Sequence, residues 1–265
     1  MTKQHFDTWK HLVQHIPLDS YPVLLCPYCG NEGLEINQTS LTHFQTENFS
    51  SKNKGIQNRI KNEITEVQAT YEQNQLIGIL FGIGKAVQLS SESVTTFVGS
   101  CRCSSCLDET AIIGTCIKSK KPPHNERIKI DHFSPPPLLF VLDEHTPPTV
   151  QEEIIQAFSH FHYDLIAAGN RLRRALEKIC QNLGLNEKNL HRNLEKMKEK
   201  YPTEAGWLLG LKLIGNEATH SDGISEDDLL QAFKILQAAL RIFRQEHQDT
   251  EISRISGKLM EKFGK

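Results

Sequence analysis

Several things are scarce in this sequence, and each absence narrows its class. Net charge is nearly missing: 30 Lys and Arg stand against 32 Asp and Glu, a formal −2. No global field draws the chain to polyanions, so any basic footprint must be local. Long apolar runs are missing too. The longest, LIGILFGIG at residues 76–84, falls far short of the roughly 20 residues a membrane-spanning helix needs. The start, MTKQHFDTWKHLVQHI, lacks the charged end and apolar core of a secretory signal. These absences predict a soluble, cytoplasmic protein with no membrane partner. No internal repeat is visible. Disorder is excluded from the other side, because 38% hydrophobic and 23% charged residues can build a packed core.

What is present begins with cysteine. There are seven, an odd number, at Cys26, Cys29, Cys101, Cys103, Cys106, Cys116 and Cys180. In a chain without a leader this favours metal ligation over disulfides. Cys26-Pro-Tyr-Cys29-Gly is one half of a zinc knuckle, because a two-residue spacer lets two thiolates grip one tetrahedral ion. Cys103-Ser-Ser-Cys106 is the matching half. The long gap between them is tolerable, since loop closure grows only with the logarithm of length. Cys26, Cys29, Cys103 and Cys106 are therefore the expected ligands of a structural Zn²⁺, closed to water and so not catalytic. Unmetallated thiols or a redox pair are the alternative, but one redox pair leaves the second unexplained. Cys101 reads as a spare thiol that could replace a ligand. Cys116 and Cys180 read as small buried hydrophobes.

Around the cysteines the sequence looks β-like and turn-punctuated, in LEINQTSLTHFQT, SVTTFVGSCRC and DETAIIGTCIKS. Before them, Phe6, Trp9, Leu12, Val13 and Ile16 fall at helical spacing. Between the cysteine pairs, Ile56, Ile60, Ile64, Val67 and Tyr71 form one helical stripe. GILFGIGK at 78–85 resembles a phosphate loop but fails its pattern, with Ala86 where Ser or Thr is needed. An apolar turn or helix packed on the ribbon is the better reading. Residues 121–148 are rich in proline and read as a linker with one short extended segment. From there on the chain is helical. Thr149 and Glu152 suggest a capping box, Gly184 and Pro202 punctuate, and Ser225 with its two aspartates opens a last helix. The expected class is α+β, mainly α. Residues 1–20 form an N-terminal helix, and 21–120 a small β zinc ribbon with a helical insert at about 51–90. A linker spans 121–148, a bundle of four to five helices 149–247, and a mobile tail 248–265.

The candidate chemistry of the bundle lies in LKLIGNEATHSD, residues 211–222. On a helix, Lys212, Asn216 and His220 are each four apart and form one polar stripe. Arg173 and Glu177 are also four apart, on the second helix. Together these five could hold a phosphate and move protons. They could equally be an intrahelical ion pair and a polar helix end. His160 and His162, two apart on a helix, do not face one ion and read as satisfied or exposed. The third helix carries Lys188, Arg192, Lys196, Lys198 and Lys200 against three glutamates, a mild basic excess that a solvated face explains equally well.

CPYCG, CSSC, LRRALEKIC and LIGNEATH, taken together, resemble a bacterial family of unknown function. That family joins an N-terminal zinc ribbon to a helical domain related to the HEPN superfamily. The resemblance covers residues 147–247 and the four cysteines, and leaves out 50–90. It implies a HEPN-like bundle of four to five helices that dimerises, and a link to RNA cleavage, toxin–antitoxin systems or phage defence. In active HEPN ribonucleases an Arg precedes a His with four to six residues between them. The matching His is His220, and Leu213, Ile214 and Gly215 stand where the Arg is needed. Lys212 offers a point charge instead of a bidentate fork, and Arg173 could serve from the neighbouring helix. Two readings follow. The favoured one is a non-catalytic module that binds nucleic acid, RNA above all, or a protein partner. The other is a metal-independent endoribonuclease with a degenerate motif, using Arg173, Glu177, Lys212, Asn216 and His220.

Overall fold

A computed structural model describes residues 5–44, 54–73, 77–83, 92–119, 125–220 and 224–264, without the side chains at 5, 54–61 and 214–220. The first half is an antiparallel sheet of seven strands: β1 (Ile16–Pro17), β2 (Leu24–Leu25), β3 (Glu32–Ile36), β4 (Thr42–Phe44), β5 (Glu92–Cys103), β6 (Glu109–Ser119) and β7 (Glu126–Ser134). Their order is β1-β7-β6-β5-β3-β2, with β4 also on β5. The three long strands β5, β6 and β7 are its spine, and buried positions recur along them, as at Phe97, Cys101 and Cys103 on β5. That recurrence follows from the two-residue period of a strand.

The N-terminal helix is shorter than its apolar spacing predicts. α1 (His5–Trp9) ends as the chain turns, with His11 in the left-handed region at φ 72°. The next apolar residues then serve elsewhere: Leu12 is buried, and Ile16 pairs with Ile128 in the sheet.

The insert between β4 and β5 is helical, in α2 (Lys54–Gln73) and α3 (77–83). The stripe expected here is described from Ile64 onward, and the side chains of Ile56 and Ile60 lie outside the description. Residues 78–83 are helix, not a phosphate loop; Gly84 and Lys85 lie outside the described residues. α3 folds back on α2. A Cβ at Gly78 would stand 2.3 Å from the Tyr71 Cα, and one at Gly82 would stand 3.2 Å from Val67. Ile77, Ile79, Leu80, Phe81 and Ile83 are exposed. The segment thus packs on α2, where packing on the ribbon was expected.

The second half holds α4 (Pro148–Phe161), α5 (Leu165–Asn182), α6 (Leu190–Met197), α7 (Pro202–His220), α8 (Glu226–Ala239) and α9 (Arg241–Phe263). Asp164 caps α5 and Asn189 caps α6 through side-chain oxygens, and Ser225 with Asp228 makes a capping box on α8. The box expected at Thr149 is absent. Pro147 is the N-cap of α4, and Thr149 instead accepts from Asn182. α9 continues to Phe263, so residues 248–265, expected as a tail, are helical up to that point; it buries Ile242 and Phe243 and is exposed from His247 on.

Residues 121–148 are more than a linker. Ile128 and Ile130 alternate with polar neighbours, and an irregularity in register between Ile130 and His132 returns Phe133 to the buried side, in a strand over 126–134 paired on both sides. Leu139 and Phe140 beyond it are buried. Trp9 meets Phe158 and Phe161 with ring centroids 5.8 and 5.1 Å apart. Phe140 meets Phe158 at 5.2 Å, and Phe158 meets Phe233 at 5.3 Å. Strand-rich and helical regions therefore share one apolar core. No helix among the described residues is long and apolar enough to cross a membrane.

Candidate metal centre

Antiparallel pairing of β3 with β5 assembles the cysteine site. Leu34 sits opposite Cys103 and Ile36 opposite Cys101, so the turn before β3 lies beside the turn after β5. The first turn carries Cys26 and Cys29, the second Cys103 and Cys106. The two turns repeat one hydrogen-bond pattern. Gly30 N–H donates to Cys26 O at 3.0 Å, and Leu107 N–H to Cys103 O at 3.0 Å. Cys26 N–H donates to Asn31 O at 2.9 Å, and Cys103 N–H to Asp108 O at 3.0 Å. Tyr28 N–H points to the Cys26 sulfur and Ser105 N–H to the Cys103 sulfur, both at 3.4 Å. Each turn closes on a left-handed residue, Gly30 at φ 70° and Leu107 at φ 67°. Glycine meets that demand without strain, and leucine takes it at a cost of about 1–2 kcal/mol.

The four Sγ atoms lie within 4.8 Å of one another. Cys26 and Cys106 are 3.6 Å apart, and Cys29 and Cys103 3.7 Å. A tetrahedral ion with metal–thiolate bonds of about 2.3 Å sets sulfur–sulfur edges near about 3.8 Å, so the arrangement fits one metal ion. Electrostatics ask for a cation as well. Burial raises the Cys26 thiol against the backbone at Cys29 and Tyr28. Burial also raises Cys103, but the backbone at Cys106 and Ser105 and two neighbouring thiols outweigh it and bring Cys103 down to about 7. The backbone at Asp108 lowers Cys106, yet burial and the three other thiols push it up to about 12. Thiolates this close repel one another, and a divalent cation at their centre lets all four ionise.

The remaining cysteines stand apart. Cys101 shares a strand face with Cys103 but is sealed in the core, and burial pushes its thiol up to about 12. Cys116, in β6, is buried and raised to about 11; Cys180, in α5, is buried and raised to about 12, burial being the first cause in both. None of the three belongs to the sulfur cluster.

In the helical region, Arg173 Nε lies 3.6 Å from Glu177 Oε1 on α5, both residues half-buried. Lys212 is half-buried on α7, which packs against α5. The backbone of α7 is helical through Asn216 and His220, whose side chains lie outside the described residues. Three of the lysines assigned to the third helix are engaged: Lys196 with Glu187, Lys198 with Glu195 and Lys200 with Glu246. This matches a solvated, charge-balanced face. His162 was expected to be satisfied or exposed. It is instead sealed between Trp9 and Phe133, with neither ring nitrogen hydrogen-bonded.

Two polar clusters escaped the sequence reading. Glu153 on α4, nearly buried, is gripped by Arg171 at 3.0 Å and Arg174 at 2.7 Å. RLRRALE in the sequence shows the arginines but not the carboxylate they meet. Asp143 and His145 meet Arg244 and His247 of α9. Some hundred residues of chain separate those partners, and no local spacing signals the encounter.

Residues 153–258 match the family model described as Domain of unknown function (DUF4145). The match runs from α4 into α9, so the expected resemblance to a family of unknown function holds over the helical region. No curated protein and no solved structure matches the chain.

Proposed function

We propose that this chain is a zinc-organised binding module that joins a zinc-ribbon-like region to a HEPN-like helical bundle and engages RNA. The observation that carries the zinc reading is the sulfur tetrad with its repeated turns. Four thiolates fill a tetrahedral ion and leave no position for water, so the zinc is structural. It holds two turns of the sheet at one end and displays Tyr28 and Leu107, both exposed; Tyr28 is an aromatic side chain of the kind that single-stranded bases stack on. The family match covers the helical half of the resemblance; the homodimer and the setting in bacterial phage defence or a toxin-type system rest on the resemblance alone and belong to the same proposal. Binding is favoured over cleavage because no arginine stands at 213–215 and Arg173 is engaged with Glu177.

The test is anisotropy of zinc-loaded protein with labelled single-stranded RNA and with mixed tRNA, at two salt concentrations, followed by analysis of the RNA ends. Saturable binding that weakens about tenfold or more between 50 and 200 mM salt, with intact RNA, is the expected result. Absence of binding at low salt rejects RNA and turns the search to a protein partner. Cleavage to 2′,3′-cyclic phosphate ends by wild type, and not by His220→Ala, establishes the endoribonuclease in place of the binding module.

A further inference from the structure

A second convergence of ligating side chains lies where the segment ahead of α4 meets α9. Asp143 Oδ1 accepts from the His145 backbone N–H at 2.9 Å and lies 2.8 Å from His145 Nδ1. Arg244 of α9 donates to the other oxygen, Oδ2. The carboxylate therefore fixes the imidazole with its proton on Nδ1 and leaves the Nε2 lone pair free of that bond. This is the orientation in which histidine ligates metals, a carboxylate holding the far nitrogen. His247 stands three residues after Arg244 and so shares its helix face. Its ring lies against that of His145, centroids 4.4 Å apart and planes tilted by 58°.

That separation is informative. With metal–nitrogen bonds of about 2.0–2.1 Å, two imidazoles at 90° on one ion have ring centres about 4.5 Å apart, and at the tetrahedral angle about 5.2 Å. The observed 4.4 Å is a packing distance that also lets both rings reach one ion. An anion is the weaker occupant, because the guanidinium of Arg244 already meets Asp143. Asp249 and Glu251 follow on the same helix, and their charge favours a cation. Glu251 lies four residues beyond His247, on its face. Nitrogen ligands select a borderline transition metal over calcium or magnesium, which prefer oxygen.

We propose that His145 and His247 form a second metal site, independent of the cysteines, for a divalent transition metal such as Ni²⁺, Cu²⁺ or Zn²⁺, with Asp143 positioning His145. A bound ion ties the segment between sheet and bundle to the last helix.

The experiment is calorimetric titration of Ni²⁺ into the full, untagged chain with its cysteines zinc-loaded, while zinc release is followed with a chromogenic chelator. The expected result is one Ni²⁺ per chain without zinc release. Affinity should fall at least about tenfold in His145→Ala and in His247→Ala, and roughly 10- to 100-fold in Asp143→Asn. Ni²⁺ should raise the melting temperature of wild type and not of His247→Ala, a partly surface variant whose folding circular dichroism confirms. Binding that survives both histidine substitutions overturns the proposal. So does nickel uptake matched by zinc release. Losses in the single variants that simply add in the double variant mark two separate surface imidazoles, and also overturn it.

Discussion

Both ring nitrogens of His162 are buried without a hydrogen-bond partner, among Trp9, Phe133 and Phe161. Burial, and secondarily the charge of Lys129, lowers its pKa to about 3, against an ordinary value near 6.5. The sign of the consequence follows from proton counting. Below about pH 6.5 the unfolded chain takes up a proton at this residue and the folded chain does not, so acid favours unfolding. The penalty is absent above pH 6.5 and grows by about 1.4 kcal/mol per pH unit down to about pH 3. His162→Phe keeps an aromatic ring and removes the titrating group. Urea melts at pH 7 and pH 5 should show a smaller pH-dependent loss in the variant, by about 2 kcal/mol; equal losses in the two proteins would refute this account. HFHYD gives no hint of such burial, because His162 lies just past α4 and its surroundings come from α1 and β7.

At the scale of elements, close approach is decided by which residues lack a side chain. Gly78 and Gly82, one helical turn apart, let α3 lie against Tyr71 and Val67 of α2. Their spacing was visible in GILFGIGK, yet the sequence could not say that their partner is the preceding helix. Gly78→Ala places a methyl group against the Tyr71 backbone and should open this hairpin. Hydrogen exchange over 62–73 and 77–83 should rise about tenfold or more, equivalent to roughly 1.4 kcal/mol, while zinc content stays unchanged. Unchanged exchange would mean that the helices do not depend on this contact. The cysteine turns are the opposite case. Two-residue spacing and the glycine after Cys29 declared them locally, and Leu107 in the glycine-like position of the second turn is the one irregularity.

For the whole molecule, the shared core is the main consequence of the fold. Phe140 lies in the stretch that its prolines mark as a linker, yet it is 2% exposed and packs on Phe158 of α4 and Phe6 of α1. Phe140→Ala should cost about 3–5 kcal/mol. Because sheet and bundle are packed on one another, helix loss by circular dichroism and zinc release should share one midpoint, and both should move together in the variant. Two separate midpoints in wild type would show that the halves melt independently.

The sequence by itself determined what depends on near neighbours along the chain. That includes the four-cysteine set, the helical second half with its Ser225 cap, the helical insert, and the absence of a long apolar helix. Spacing suffices there, because ligand pairs, caps and amphipathic stripes are built within one or two turns. Tertiary structure decided what depends on encounters between distant segments. β3 meeting β5 brings the two cysteine turns together. β7 joins the sheet out of a proline-rich stretch. His162 is sealed by α1 and the sheet, and Asp143 and His145 meet α9. Each is a long-range packing choice made by buried apolar area; a local pattern can mark a strand, as at Ile128 and Ile130, but not the segment it meets.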